Sequence, residues 1–349
     1  MNVLSLFDGM SCGQQALERA GIKVDNYFAS EIDKYAIQVT MANYPNTKQL
    51  GSVVNVDGYL LPKIDILIGG SPCQSFSFAG KRKGMSTKDE QEILTLDHYL
   101  DLKEEGFQFE GQSYLFWEYM RLLNEVKPKY FLLENVMMGE KWEKVLSKAI
   151  GVKPIMINSA LISAQNRQRL YWTNIGLEPQ GLFGDLETTI QQPKDKGILL
   201  NHILEENVAD KYNLSDNAKK LLGKDMIEKS INKKKSMTID GSYYKGVGIR
   251  CNDCRQIVHN TMPRSSTSGK GGTGPLSRTD GKTYCLDTGQ TNAIEIYNNI
   301  RRLTPIECER LQTVKDNYTA HVSDSQRYKM LGNGWTVDVI VHILNYLTK

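Results

Sequence analysis

The sequence predicts an α/β fold: a doubly wound, mainly parallel sheet joined to a second, smaller, loop-rich unit. Three observations carry this. Short β-branched and apolar runs alternate with segments of helical spacing through the first 176 residues. Several of the runs break at glycine or at a polar residue, as strands do where they deliver side chains to the edge of an open sheet. From about Gly176 the character changes, and residues 241–289 hold nine glycines, many Ser and Thr, and little helical periodicity.

The elements follow in order. Residues 2–6 read as a buried strand, and the opening MNVLSLFDGM is too short in its apolar run and too poor in basic residues for a leader. The turn Phe7-Asp8-Gly9-Met10-Ser11-Cys12-Gly13 leads into a helix over 14–20, with Gly21 as its C′ glycine. A strand, a glycine turn and a helix start let backbone N–H groups approach a ligand closely. The spacing is not G-x-G-x-x-G, because Ser11 stands where the second glycine belongs. The next strand, 27–30, ends at Glu31, a carboxylate placed to take ribose hydroxyls of a nucleoside cofactor. A helix over 37–44 precedes a strand over 64–68.

That strand opens the stretch 66–84, ILIGGSPCQSFSFAGKRKG, around which the chain is organised. A Ser-Pro turn presents Cys73, followed by a polar, basic loop. The placement suits a nucleophile; an inert half-buried thiol is the plainer alternative. Residues 89–110 hold eight Asp/Glu against one Lys and are expected to face solvent. A helix over 114–126 ends at Lys127-Pro128, and a strand over 130–133 delivers Glu134-Asn135-Val136. A helix over 142–150 and a strand over 155–158 precede Gln165-Asn166-Arg167-Gln168-Arg169, after which 170–174 resumes a strand. Later, Thr304 is an N-cap, Pro305 sits at N1 and Glu307 closes a capping box. A final helix follows Gly332-Asn333-Gly334-Trp335.

Net charge is only +3, but residues 229–282 hold eleven Lys/Arg against three Asp/Glu. A solvated basic face and a polyanion partner both fit. No apolar run reaches the roughly 18 residues a membrane span needs. The six cysteines, at 12, 73, 251, 254, 285 and 308, are scattered in a way that suits a reducing compartment. Cys251-x-x-Cys254 with His259 and Cys285 lacks the second spaced pair of a closed zinc site, so no metal is expected.

Cys73, Glu134, Arg167 and Arg169 together offer a thiolate, a carboxyl able to share a proton, and fixed cations: a site for attack on an electron-poor ring. With these motifs the sequence resembles the DNA cytosine-5 methyltransferase family, over nearly the whole chain outside the acidic insert and residues 177–299. The cofactor turn is similar at Leu6-Phe7-Asp8-Gly9, the ribose acid at Glu31 and the Pro-Cys motif at Ser71-Pro72-Cys73-Gln74. Glu134-Asn135-Val136, Gln165 with Arg167 and Arg169, the Thr-Pro-x-Glu core after Arg302, and Gly332-Asn333 complete the match. LSLFDG, GGSPC and Trp335 look especially like animal de novo enzymes and phage or bacterial relatives.

The resemblance implies a Rossmann-like methyltransferase sheet in residues 1–176, completed by 322–349, with a target-recognition domain and hinge in 177–321. It implies S-adenosylmethionine as cofactor, bound by Phe7, Asp8, Gly9, Glu31, Ile32, Ser52, Pro72, Asn333 and Trp335. It implies double-stranded DNA as partner, and a target cytosine flipped from the stack and attacked at C6 by Cys73 while Glu134 engages N3. Arg169 would then hold the base and Arg167 support the loop carrying Cys73. Candidate DNA contacts are Gln74, Ser75, Lys81, Arg82, Arg250, Arg255, Arg264 and Lys270. A monomer of the bacterial or phage-infected cytoplasm, at the nucleoid, fits the family, with a cognate restriction endonuclease as an admissible companion.

Departures are specific. The family's adenine-binding Asp is replaced around Gly51-Ser52-Val53, leaving Ser52 or Asp57 to substitute, and Ile32 stands where an aromatic often stacks. The segment 85–111 is longer than the usual spacer. An RNA-directed enzyme of the same fold is the nearest alternative, though its Cys-Phe-Thr motif is missing. A catalytically silent DNA-binding regulator is a second alternative, and a nucleotide-dependent oxidoreductase fails on the glycine spacing.

Overall fold

The computed structural model describes residues 1–72, 92–109, 111–180, 185–214, 257–260, 276–286, 288, 292–296 and 299–347. Its centre is a seven-stranded sheet built from β1 (Asn2–Leu6), β2 (Asn26–Ser30), β3 (Lys48–Gln49), β4 (Ile66–Gly70), β5 (Tyr130–Val136), β6 (Ile155–Asn158) and β7 (Gln168–Thr173). The order is β3-β2-β1-β4-β5-β7-β6. Every pairing among the first five strands is parallel, whereas β7 runs antiparallel to both β5 and β6. The expectation of a mainly parallel sheet holds, with one reversed strand.

Alternation along the strands divides the core in two. Val3, Ile66, Ile68 and Leu132 face one side, where α1 (Cys12–Arg19), α2 (Lys34–Asn43), α6 (Pro305–Leu311), α7 (Asp324–Asn333) and α8 (Val337–Leu344) pack. Leu4, Leu6, Leu67 and Leu133 face the other, covered by α3 (Leu96–Glu104), α4 (Phe116–Val126) and α5 (Glu140–Ile150). Helices on both faces make the sheet doubly wound. Boundaries follow local chemistry: Lys127 takes the left-handed conformation at the end of α4, Gly151 does so after α5, and the Thr304–Glu307 capping box starts α6 behind Pro305.

The described part of the acidic insert contains a helix that its charge does not suggest. Thr95 caps α3, and Tyr99 and Leu102 are buried against α4, while Asp97, Asp101, Glu104 and Glu105 are exposed. The carboxylates face solvent as expected; the helix beneath them is the unforeseen part. Its anchor is Glu118 of α4, fully buried, which pairs with Lys103 at 2.5 Å and Arg121 at 2.7 Å and accepts from the Tyr99 hydroxyl at 2.5 Å.

Beyond β7, β8 (Leu177–Gln180) pairs with β9 (Asp185–Thr188), and β10 (Ile257–Asn260), β11 (Leu276–Arg278), β12 (Asn292–Ile296) and β13 (Asn299–Arg302) form a four-stranded antiparallel sheet in the order β11-β10-β12-β13. Leu286, Ile294, Leu303 and Leu311 share a buried cluster with Val3 and Ile66.

Candidate active site

The carboxyl ends of β1, β2, β4 and β5 open into one cleft of about 560 Å³. At one end lies the turn after β1, where Phe7, Gly9 and Ser11 all have φ of 58°. Phe7 and Ser11 hold this left-handed conformation without glycine's freedom, so the surroundings must enforce it. Asp8 does much of that. Its carboxylate accepts from Ser5 Oγ at 2.6 Å, from Tyr27 Oη at 2.7 Å and from the Ser11 hydroxyl. Burial outweighs these three bonds and pushes the Asp8 carboxyl up to about 6, with the Glu31 charge adding to the rise.

Glu31 is fixed by backbone. Gly9 N donates to Oε2 at 2.7 Å, and Ile32 N and Asp33 N both donate to Oε1 at 2.8 Å. Oε1 is thereby filled, and Oε2 retains capacity to accept one hydroxyl. Ile32 beside it is 71% exposed, an apolar surface facing the cleft. Ser30 Oγ donates to the Gly51 carbonyl at 2.8 Å, and Gly51, at φ of 74°, turns Ser52 into the cleft wall. Asp57 caps the turn Gly58–Leu60 by accepting from Tyr59 N at 2.9 Å and is not part of that wall.

The other end gathers the groups suited to acid–base and ionic chemistry. Gly70 and Glu134 are register partners on β4 and β5. A Cβ on Gly70 would lie 2.9 Å from Trp335 Nε1 and 3.2 Å from Glu134 Oε2, so only glycine lets the indole and the carboxylate converge there. Asn135 Nδ2 donates to the carbonyl and hydroxyl oxygens of Ser71 at 3.2 and 3.0 Å, fixing the turn at Pro72. Glu134 Oε1 meets Arg169 Nε at 2.9 Å. Arg169 sits opposite Val136 because β7 is reversed, which brings its first residues to the edge where β5 ends.

Arg167 is buried and donates to the carbonyls of Leu286, Gly332 and Gly334 at 3.4, 3.2 and 2.9 Å. Gly332 and Gly334 among these partners line the cleft on either side of Asn333, whereas the loop Arg167 was expected to support lies outside the described residues. Cys12 also lines the cleft, but burial pushes its thiol up to about 12, which keeps it protonated and a poor nucleophile.

One cleft therefore brings together Phe7, Asp8, Gly9, Glu31, Ile32, Ser52, Pro72, Glu134, Arg167, Arg169, Asn333 and Trp335. Cys73, Gln74, Ser75, Lys81, Arg82, Arg250, Arg255, Arg264 and Lys270 lie outside the described residues, as do Cys251 and Cys254. Of the basic block, Arg278 is bound to Asp280 through Nε at 2.8 Å, and Lys282 Nζ donates to the carbonyls of Ala160, Ser163 and Ile198. Lys282 is thus committed to backbone carbonyls, whereas Arg278 remains partly exposed beside its local partner Asp280. Sequence reasoning missed Gly111, Gln112 and Leu115, which rim the cleft, and the ion pair of Lys329 with Asp33 at 2.6 Å beside Glu31. No local pattern marks them: Gly111 ends the insert, Gln112 and Leu115 precede α4, and Lys329 of α7 reaches Asp33 just after β2. Among the described residues no cluster of three or more His, Cys, Asp or Glu could hold a metal.

Comparison with known proteins fits this geometry. The model for C-5 cytosine-specific DNA methylases matches residues 1–99 and 102–349. The Type II methyltransferase M1.ScrFI of Lactococcus lactis subsp. cremoris is 30% identical, covering 91% of this chain and 70% of that protein. The orphan methyltransferase M.SPRI of Bacillus phage SPR is 26% identical over 99% of this chain and 97% of its own length. Among solved structures, Entamoeba histolytica methyltransferase EhMeth shares the fold at a TM-score of 0.63 and 16% identity, covering 99% of this chain and 97% of that one. A Spodoptera frugiperda DNMT2 variant does so at 0.59 and 18%, covering 100% and 99%. The chain belongs to the C-5 cytosine-specific DNA methylase family and is a DNA cytosine-5-methyltransferase.

Proposed function

We propose that this enzyme uses S-adenosylmethionine to methylate C5 of a cytosine flipped out of a specific duplex DNA sequence, through a transient covalent bond to Cys73. The observation that carries the reading is the single cleft, with a nucleoside-type end at Glu31 and a base-type end at Glu134 and Arg169. Its size lies in the range of small-molecule sites, roughly 300–1,000 Å³. The cofactor fits the donor set: Glu31 Oε2 has a lone pair left for a ribose hydroxyl, Ile32 and Ser52 flank room for a purine, and Gly9 admits close backbone approach. Pro72, Asn333 and Trp335 wall the remainder. When bound, S-adenosylmethionine supplies an electrophilic methyl group.

The chain's own residues make cytosine able to accept it. C5 is a weak nucleophile while the ring is conjugated, and neither C5 nor C6 is reachable in the stack. Cys73 follows Pro72 at the end of β4, and its thiolate adds to C6 while Glu134 hydrogen-bonds or protonates N3, so electron density moves to C5. Arg169 holds the base and keeps the Glu134 carboxylate oriented. After methylation, loss of the C5 proton and expulsion of the Cys73 thiolate restore the aromatic ring. Residues 1–176 with 322–349 form the catalytic part, and 177–321 the target-recognition part. Gln74, Ser75, Lys81, Arg82, Arg250, Arg255, Arg264 and Lys270 serve the DNA, the cations by neutralising phosphates. The enzyme works as a cytoplasmic monomer, beside a restriction endonuclease or alone, as the Type II and orphan names of its relatives suggest.

The test is incorporation of tritium from methyl-labelled S-adenosylmethionine into duplex DNA or transfer RNA. Label should enter DNA, and Cys73→Ala should abolish it while retaining duplex binding. A duplex carrying 5-fluorocytosine should trap an adduct at Cys73, because fluorine cannot leave as a proton. Label in transfer RNA alone, or an active enzyme that forms no adduct, would overturn the reading.

A further inference from the structure

Cys285 takes part in no step above, yet it lies between the two arginines of the site. Its Sγ accepts from Arg167 Nη1 at 3.1 Å and from Arg169 Nη2 at 3.6 Å. Arg169 continues through Nε to Glu134, and Arg167 to the carbonyls of Gly332 and Gly334. Among the described residues the sulfur is the one partner both guanidiniums share. The segment bearing it is zipped onto the strand-edge loop: Thr283 N donates to the Ala164 carbonyl at 2.9 Å, Asn166 N to the Thr283 carbonyl at 3.1 Å, and Leu286 N to Gln165 Oε1 at 2.8 Å.

We propose that Cys285 is a positioning residue for methyl transfer, its sulfur fixing both guanidiniums so that Arg169 meets Glu134 in the orientation the target base requires. The proposal rests on the reading of the Glu134 end as the base site. Two guanidiniums face only one carboxylate here, so the cluster favours a second anion. Burial pushes the Cys285 thiol up, but the charges of Arg167 and Arg169 outweigh it and hold the group below the ordinary thiol range. The Leu286 carbonyl, 3.3 Å from the sulfur, favours a proton there and opposes the arginines. The titratable neighbours are Glu134, beyond Arg169, and Tyr171, which burial pushes up and keeps neutral.

The experiment compares wild type, Cys285→Ser and Cys285→Ala in tritium transfer to duplex DNA. Alanine leaves both guanidiniums without their common acceptor, and kcat should fall about tenfold to a hundredfold, the size of a lost charge-assisted hydrogen bond. KM for S-adenosylmethionine should stay within about twofold, because Glu31 is untouched and Arg167 keeps its bonds to the Gly332 and Gly334 carbonyls beside Asn333 and Trp335. Serine restores a smaller acceptor on a shorter bond and should fall between. If the alanine variant unfolds, serine carries the comparison, with loss of kcat at unchanged KM expected. Independently, [3-¹³C]cysteine labelling, assigned through Cys285→Ser, should give a titration midpoint below the ordinary thiol value of about 8.5. A kcat within twofold of wild type in the variant that folds, or a midpoint at or above the ordinary value, overturns the proposal. Because the midpoint is read without substrate, a wild-type enzyme that labels no DNA would sink the functional reading separately.

Discussion

Replacing Asn135 with alanine probes how the turn that presents Cys73 is held. Asn135 is 1% exposed; its amide nitrogen donates to both oxygens of Ser71, and its Oδ1 accepts from Val136 N at 2.8 Å. Ser71 is itself only 4% exposed, so its oxygens gain no water when the amide is gone. Lost bonds of about 1 kcal/mol each, with about 1–3 kcal/mol for buried groups left unpaired, give a destabilisation of roughly 2–4 kcal/mol. The larger effect should be on rate. Ser71 and Pro72 are the last described residues before the nucleophile, and displacement of a reacting group by about 1 Å can cost on the order of a hundredfold. Thermal melting and single-turnover transfer from tritiated S-adenosylmethionine measure the two effects, with cofactor affinity as control. The expected pattern is a lower Tm, a rate reduced by about tenfold or more, and nearly unchanged cofactor binding. A variant that melts early yet transfers methyl at the wild-type rate would show that the turn is positioned by something other than Asn135.

Two further substitutions give outcomes of different kind. Gly70→Ala drives a Cβ against Trp335 Nε1 and Glu134 Oε2; overpacking should cost about 1–3 kcal/mol in denaturant titrations, with a loss of activity that Gly69 or surface glycine variants do not reproduce as a match of both effects. Asp8→Asn tests the buried carboxyl. An acid raised from 3.8 to about 6 in the folded protein is protonated in both states only well below pH 3.8; between about pH 4 and 6 the unfolded state alone ionises, and the cost accumulates to about 3 kcal/mol just above pH 6. The asparagine variant escapes this cost, so its stability advantage should be near zero well below pH 3.8 and grow toward about pH 7; a difference independent of pH would remove burial of the charge as the cause.

Much of the sheet was legible because buried parallel strands leave short apolar runs with definite ends. Leu6 and Ser30 end β1 and β2 as read, whereas β4 runs on through Gly70 and β5 through Val136, past the ends expected at Ile68 and Leu133; the Thr304–Glu307 box read directly as a helix start. The reversal of β7 was not legible, since alternation carries no direction; only the pairing of Arg169 with Val136 reveals it. Nor was α3, whose charge masks an apolar face of two buried residues, Tyr99 and Leu102, and whose anchor Glu118 comes from the next helix. The nucleoside end of the site was foreseen in kind at Glu31. Its three backbone donors, and the bonds of Arg167 to carbonyls 165 and 167 residues away, depend on folding that no local pattern encodes.

The pairing of α1 with α8 sets a timetable for synthesis. Arg19 bonds Asp338, 319 residues further along the chain, and Ala16 and Leu17 share their buried cluster with Ile340 and Ile343. At about 5–20 residues per second, a ribosome needs roughly 15–60 s between the two helices. Throughout that interval the early half of the cleft waits with an uncovered apolar flank and without the wall that Asn333 and Trp335 provide. A chain truncated before α8 is expected to leave Ala16 and Leu17 without Ile340 and Ile343, and so to lack the buried flank that supports the turn after β1.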